Sequence, residues 1–198
     1  MRYVNQKEYP HIPYITCTKE DHPQHERGKT TTICTSGCGL CSSIMVADRL
    51  LVDYKFELED AIALSYEVGA NYGAGTARIY FPVFAERMGL HHEMVSTMEE
   101  VKNCLRTGGA VIAHVAGDHG DRVGIFSHVG HYVVVIGEEP DGRLAILDPA
   151  YLPGRYDEEG RKGKVEVKCG FISLCFPEDL HEDTKYRQPD GYHLFWRK

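Results

Sequence analysis

The sequence predicts an α+β fold, with N-terminal helices packed on an antiparallel sheet. Two observations carry this reading. Helical periodicity occupies the stretch from Gly39 to Arg106, whereas short β-type runs separated by turn residues occupy Ala110 to Trp196. Helices first and strands afterwards, rather than alternating, describe an α+β arrangement and not a parallel sheet with crossover helices. The 198 residues suit one domain, spanning 1–198, with room for a sizeable core.

The elements follow in order. Tyr3 to Thr32 is polar and irregular, with Pro10, Pro13, Pro23 and three histidines, and reads as a wrapping segment holding at most one short strand. Apolar residues at Leu40, Ile44, Ala47 and Leu51 are spaced four, three and four apart, which places them on one helical face. A second helix is expected over Glu57–Val68, ended by Gly69 in the position after the cap. A third is expected from near Ala77 to Met88, ended by Gly89, with Pro82 shifting its start or kinking it. A fourth covers Met98–Arg106, opened by a Thr97/Glu100 capping box and closed by Gly108-Gly109. The period then changes. Ala110–Val115 is a short strand, Ala116–Ser127 a polar loop, and His131–Ile136 and Arg143–Leu147 are strands joined through Pro140-Asp141-Gly142. Further strands are expected at Lys164–Lys168, Phe171–Cys175 and Tyr192–Trp196.

Composition removes several function classes. The net charge of −7 comes from scattered acidic residues, with no basic patch for phosphate, so no nucleic-acid partner is expected. The longest apolar run, around Tyr132–Ile136, is far too short to span a bilayer. Met1–Lys7 has no apolar core of a secretory signal. Seven irregularly spaced cysteines do not form a disulfide framework, and an odd count leaves at least one thiol free or paired between molecules. A reducing, cytoplasmic setting is the expected one.

Two segments carry chemistry. Ser36-Gly37-Cys38-Gly39 opens the first helical pattern, so Cys38 stands where free backbone N–H groups and the helix dipole favour a thiolate. The flanking glycines allow close approach of a carbonyl, and the Cys38 amide is placed to donate to an oxyanion. The competing reading of Cys38 is a small buried hydrophobe. Gly130-His131 opens one strand and Asp148-Pro149 closes the next. The pair is centred on the predicted turn, so in a regular hairpin the two residues lie directly opposite, with Cβ atoms about 4.5–5.5 Å apart. An imidazole and a carboxylate so placed can hydrogen-bond and leave the second ring nitrogen for a thiol.

These motifs resemble the bacteriocin-processing peptidases, family thirty-nine of the cysteine peptidases within the papain-like group. The resemblance rests on Val4-Asn5-Gln6 with Ile12-Pro13-Tyr14, on Ser36-Gly37-Cys38-Gly39 with Cys41-Ser42, on Leu105-Arg106-Thr107-Gly108, and on Gly130-His131-Tyr132-Val133-Val134 with Asp148-Pro149. It covers roughly residues 3–151. It implies a papain-like fold, a peptide or protein substrate, no cofactor and no metal. It also implies Cys38 as nucleophile, His131 as general base and acid, and Asp148 as the partner of His131. Two positions depart from the family pattern: Leu40 stands where proline is usual, and Thr32 stands where papain-like enzymes often carry the oxyanion-hole glutamine. Gln6, from the N-terminal segment, is the candidate for that glutamine.

Rival readings remain open. Cys34, Cys38 and Cys41, with His91, His92, His114, His119 and His128, could supply zinc ligands, but Cys38 and Cys41 lack a second closely spaced pair. Cys41 reads instead as a core-facing helix residue, and the histidines between His114 and His128 as part of a loop over the cleft or as solvated. Transglutaminase-, amidase- or acyltransferase-like enzymes can use the same Cys-His-Asp set, and a catalytically silent peptide-binding protein could retain it. Oligomeric state is not legible.

Overall fold

The computed structural model describes residues 1–17 and 28–198, so Pro23, His22 and His25 of the wrapping segment lie outside the described residues. Along the chain, β1 (Pro13–Thr16) pairs with β2 (Lys29–Thr32), followed by α1 (Ile33–Ser36), α2 (Cys38–Leu50), α3 (Leu58–Glu67) and α4 (Tyr80–Arg87). Then come β3 (Leu90–Val95), α5 (Met98–Arg106), β4 (Ala110–Val115), β5 (His131–Glu138), β6 (Leu144–Leu147), β7 (Val165–Lys168), β8 (Ile172–Cys175), α6 (Pro177–Thr184) and β9 (Tyr192–Arg197). The seven later strands form one antiparallel sheet in the order β3-β9-β4-β5-β6-β8-β7.

Strand β5 shows why helices cover both faces of that sheet. Its run His131–Val135 is buried residue after residue, and side chains alternate between faces along a strand. Val134, with Tyr132, joins a core with Leu40, Ile44, Phe81 and Phe195, whereas Val133 and Val135 join a second core with Val101, Cys104 and Leu180. Helix α2 is buried from Gly39 to Ala47 and lies inside the molecule rather than on its surface. The expected apolar stripe is present, but Cys41, Met45 and Val46 fill the remaining faces, with Cys41 fully buried.

Helix boundaries follow local chemistry. The Thr97/Glu100 capping box opens α5 as expected, and Gly69 and Gly89 adopt positive φ after α3 and α4. Helix α4 starts at Tyr80 rather than near Ala77, because Pro82 fits the first turn, where its missing N–H is not needed. The structure adds β3, α1 and α6, which the pattern does not announce, and places two strands in the N-terminal segment where at most one was expected. That segment still wraps. The Tyr3 hydroxyl donates to the Asp148 carbonyl at 2.6 Å, the Gln6 amide to the Pro149 carbonyl at 2.6 Å, and the Asn5 side chain to the Tyr151 carbonyl at 2.8 Å.

One geometric expectation is corrected. Val134 pairs with Leu147 and Val135 with Ile146, and a bulge then shifts the register so that Gly137 pairs with Ala145. Continued outward, this register puts Asp148 opposite Val133, not His131. The two residues are diagonal neighbours, two strand positions apart, and so still share a face. All seven cysteines are unpaired thiols. Among the described residues no helix is long and apolar enough to cross a membrane.

Candidate active site

Cys38 is the first residue of α2, entered through a turn that only glycine permits. A Cβ on Gly37 would lie 2.7 Å from both the Ile33 carbonyl oxygen and its Cγ2. A Cβ on Gly39 would lie 2.8 Å from the Thr76 Cβ. The two glycines therefore let α1 fold back on α2 and let the Thr76 segment approach the sulfur. Cys38 itself is half-buried at the floor of a cleft of about 420 Å³.

His131 begins β5 and is 5% exposed; Asp148 follows β6 and is fully buried. His131 Nε2 lies 2.7 Å from Asp148 Oδ1. An ionised carboxylate can only accept, so Nε2 carries the proton, which leaves Nδ1 as the ring nitrogen available to Cys38. Asp148 is held on both oxygens. Oδ1 also accepts the Ala150 N–H at 2.8 Å, while Oδ2 accepts the Tyr156 hydroxyl at 2.8 Å and faces Arg155 Nε at 3.0 Å. The structure thus joins His131 to Asp148 by a hydrogen bond and brings Cys38 close enough for its charge to act on the imidazole.

Electrostatics follow from these contacts. Burial would raise the Asp148 carboxyl, but His131, Arg155 and the Ala150 amide outweigh it and hold the group at about 2. Burial would lower the His131 imidazole, yet the Asp148 charge and hydrogen bond, helped by Cys38, push it up to about 9. Burial would raise the Cys38 thiol, but the His131 hydrogen bond and charge, with the Tyr132 and Gly39 amides, bring it below its ordinary value. Cys41, one turn further along α2 without such partners, is pushed well up by burial. One helix therefore holds a thiolate-favouring cysteine and an inert one.

Gln6 is buried in a short 3-10 turn, Gln6–Glu8. Its Nε2 donates to the Cys34 carbonyl at 2.8 Å, and its Oε1 is buried without a partner. Among the described residues no group of three or more His, Cys, Asp or Glu side chains is arranged to hold a metal. The histidines expected in a loop divide. His114 belongs to β4, stacks on Tyr132 at 4.3 Å and lines the cleft; His119 stacks on Tyr186 at 3.6 Å; exposed His128 bridges Asp118 and Glu158 at 2.9 and 3.1 Å. Sequence reasoning missed Arg155 and Tyr156 on Asp148, and Arg78 and Arg187 in the cleft. None carries a local signal, because each acts through a tertiary partner.

No family model matches the chain, and no curated protein matches it in sequence. Solved structures do match its fold. The peptidase domain of Streptococcus ComA, described as a bi-functional ABC transporter involved in a quorum-sensing pathway, is 17% identical over 81% of this chain and 91% of that one, with a TM-score of 0.50. A Bacillus anthracis protein described as a C39-like peptidase is 11% identical over 100% of this chain and 98% of that one, with a TM-score of 0.51. The fold is that of the papain-like C39 peptidase domains.

Proposed function

We propose that residues 1–198 form a single cysteine peptidase domain that hydrolyses peptide bonds through a Cys38 acyl-enzyme. The observation that carries this reading is that His131, hydrogen-bonded to Asp148 at 2.7 Å, lies near enough to Cys38 at the start of α2 for each to shift the other's pKa. In the reaction, the Cys38 thiolate attacks the scissile carbonyl carbon, and the carbonyl oxygen takes up the negative charge. The Cys38 N–H at the start of α2 donates to that oxygen. Gln6 is the second donor: one amide proton is spent on the Cys34 carbonyl, four residues before the nucleophile, and the other is available. His131 gives its Nδ1 proton to the leaving amine as the C–N bond breaks, leaving a thioester. Neutral His131 then takes a proton from water, hydroxide adds to the thioester, and Cys38 departs as thiolate. Asp148 keeps the imidazole in the required tautomer throughout.

Limiting iodoacetamide at pH 7, mapped by mass spectrometry, tests the nucleophile. Cys38 should be labelled ahead of Cys169, the exposed thiol. Dominant labelling of Cys169 with Cys38 silent would sink the reading. A diverse peptide library tests the reaction, with the Cys38→Ala variant expected to cleave nothing that the native chain cleaves.

A further inference from the structure

Among the described residues, the Cys38 cleft is lined by two arginines and by no carboxylate. Arg78 and Arg187 both line it. Arg78 is fully engaged: Nη2 donates to the Arg187 carbonyl at 3.2 Å, Nε to His114 Nδ1 at 3.3 Å, and Nη1 lies 3.7 Å from Asp190. Arg187 is not. Among the described residues its side chain has no hydrogen bond and no carboxylate within ion-pair distance, and its Nε is buried without an acceptor. A half-buried guanidinium with one nitrogen shut away and unpaired is costly, and it marks a place where an acceptor from outside belongs.

The position of Arg187 is built into the site. Its Nη2 fills the space next to the Gly130 Cα, so that any side chain at 130 would collide with it. Gly130 immediately precedes His131. The guanidinium thus lies against the residue that precedes the imidazole, on the cleft side of the strand. The other charges near it leave the excess uncancelled. Asp190 pairs with Arg78, and Asp148 is taken by His131 and Arg155. His114 stays neutral, because burial and the two arginines lower it to about 2.

Resting on the peptidase reading, we propose that the substrate presents a carboxylate to Arg187, which fixes the peptide in the cleft with its scissile carbonyl at Cys38. A planar carboxylate is the acceptor that a guanidinium binds in fork geometry. It can come from an Asp or Glu side chain, or from the C-terminus of a peptide trimmed by a few residues. Both sources share this contact and differ in cleavage pattern.

The test separates this subsite from the hydrolase reading. Cys38 is alkylated by iodoacetate and by iodoacetamide, which differ by one carboxylate, and the ratio of the two rates is compared between the native chain and R187M, R187K and R78Q. His131 is present in all four, so its effect on the ratio cancels. The ratio should fall about tenfold in R187M and only partly in R187K. An unchanged ratio overturns the subsite whether or not any peptide is cleaved. Matched peptides carrying Glu or Gln at each position, and free acid or amide at the C-terminus, then assign the source. A Glu preference indicates the side chain, a free-acid preference the terminus, and R187M should weaken either mainly by raising KM. Cleavage indifferent to charge overturns the subsite and leaves the hydrolase standing. Absence of cleavage with every peptide removes the hydrolase reading, while the alkylation ratio still decides the subsite. Should R187M fail to fold, R78Q and the native chain's own preference between acid and amide decide it.

Discussion

His131 and His193 lie in the same sheet, each shut away from water, and the structure drives them to opposite charge states. Burial acts against the imidazolium at both. His193 meets the rings of His92, 3.0 Å away, of Phe81, 4.5 Å between centroids, and of Tyr132, 6.5 Å between centroids, and its Nε2 has no partner. It stays well below its ordinary pKa, and His92 is lowered by burial to about 4. His131 meets Asp148 and rises to about 9. One carboxylate, itself held by Arg155, Tyr156 and the Ala150 amide, is the main counterweight to burial there, with Cys38 adding to it. The sheet is the scaffold in both places; the carboxylate makes one of them chemistry.

The comparison breaks most completely if the imidazole itself is removed. His131→Ala should lower peptide turnover on the order of 10⁴-fold or more, and should also slow Cys38 alkylation near pH 7, because the imidazolium no longer favours the thiolate. Turnover assays and labelling kinetics on the same preparation check both. An unaltered alkylation rate would detach the thiol from the histidine.

Removing only the charge should cost less. Asp148→Asn should reduce turnover by roughly 10²–10⁴-fold, through loss of tautomer and orientation. It should leave labelling of Cys38 less affected than His131→Ala does. It also takes the carboxylate from Arg155, whose remaining bonds go to the Phe126 carbonyl, so a stability loss of about 1–3 kcal/mol is expected in denaturant titration.

The pH profile sharpens the comparison further. Imidazolium is needed to protonate the leaving amine, so the basic limb of kcat/KM should fall near pH 9 in the native chain. In Asp148→Asn it should move down towards the ordinary imidazole value. A native limb near 6.5 would deny Asp148 the role assigned to it.

The smallest effect lies in acid stability, where the two regions have opposite signs. His131, raised when folded, contributes stability present below about 6.5 and lost as pH rises through about 9. His193 and His92, lowered when folded, contribute stability present above about 6.5 that drains away as pH falls, at no more than about 1.4 kcal/mol per pH unit for each proton taken up. His193→Phe should therefore flatten the fall in Tm between pH 7 and 5. A fall as steep as in the native chain would place the acid-labile group elsewhere.

The sequence was most legible where function sits at an element boundary. Cys38 opens a helix, His131 opens a strand and Asp148 closes one, and each boundary has a local signature in glycine, β-branched or proline neighbours. The pairing register was not legible, because the bulge between Val135 and Gly137 leaves no mark in an otherwise regular apolar run. Strand β3, Leu-His-His-Glu-Met-Val, escaped because it is an edge strand with only Leu90 fully buried. Helix α6 escaped for a different reason. Two of its four buried residues are Asp183 and Thr184, and Asp183 serves the loop before β5 by accepting the Ile125 and Phe126 amides and pairing with Arg122. Polar residues that are buried for a distant loop look like surface residues in sequence.

The distance along the chain between nucleophile and acid has a consequence in time. Cys38 and Asp148 are separated by about 110 residues, which at ribosomal rates of roughly 5–20 residues per second take several to about twenty seconds to synthesise. Tyr3 and Gln6, which close over the Asp148-Pro149 corner, wait longer still for their partners. Until that corner emerges, no carboxylate stands beside His131. On the peptidase reading, the nascent chain therefore passes most of its synthesis without the group that holds its imidazole in place.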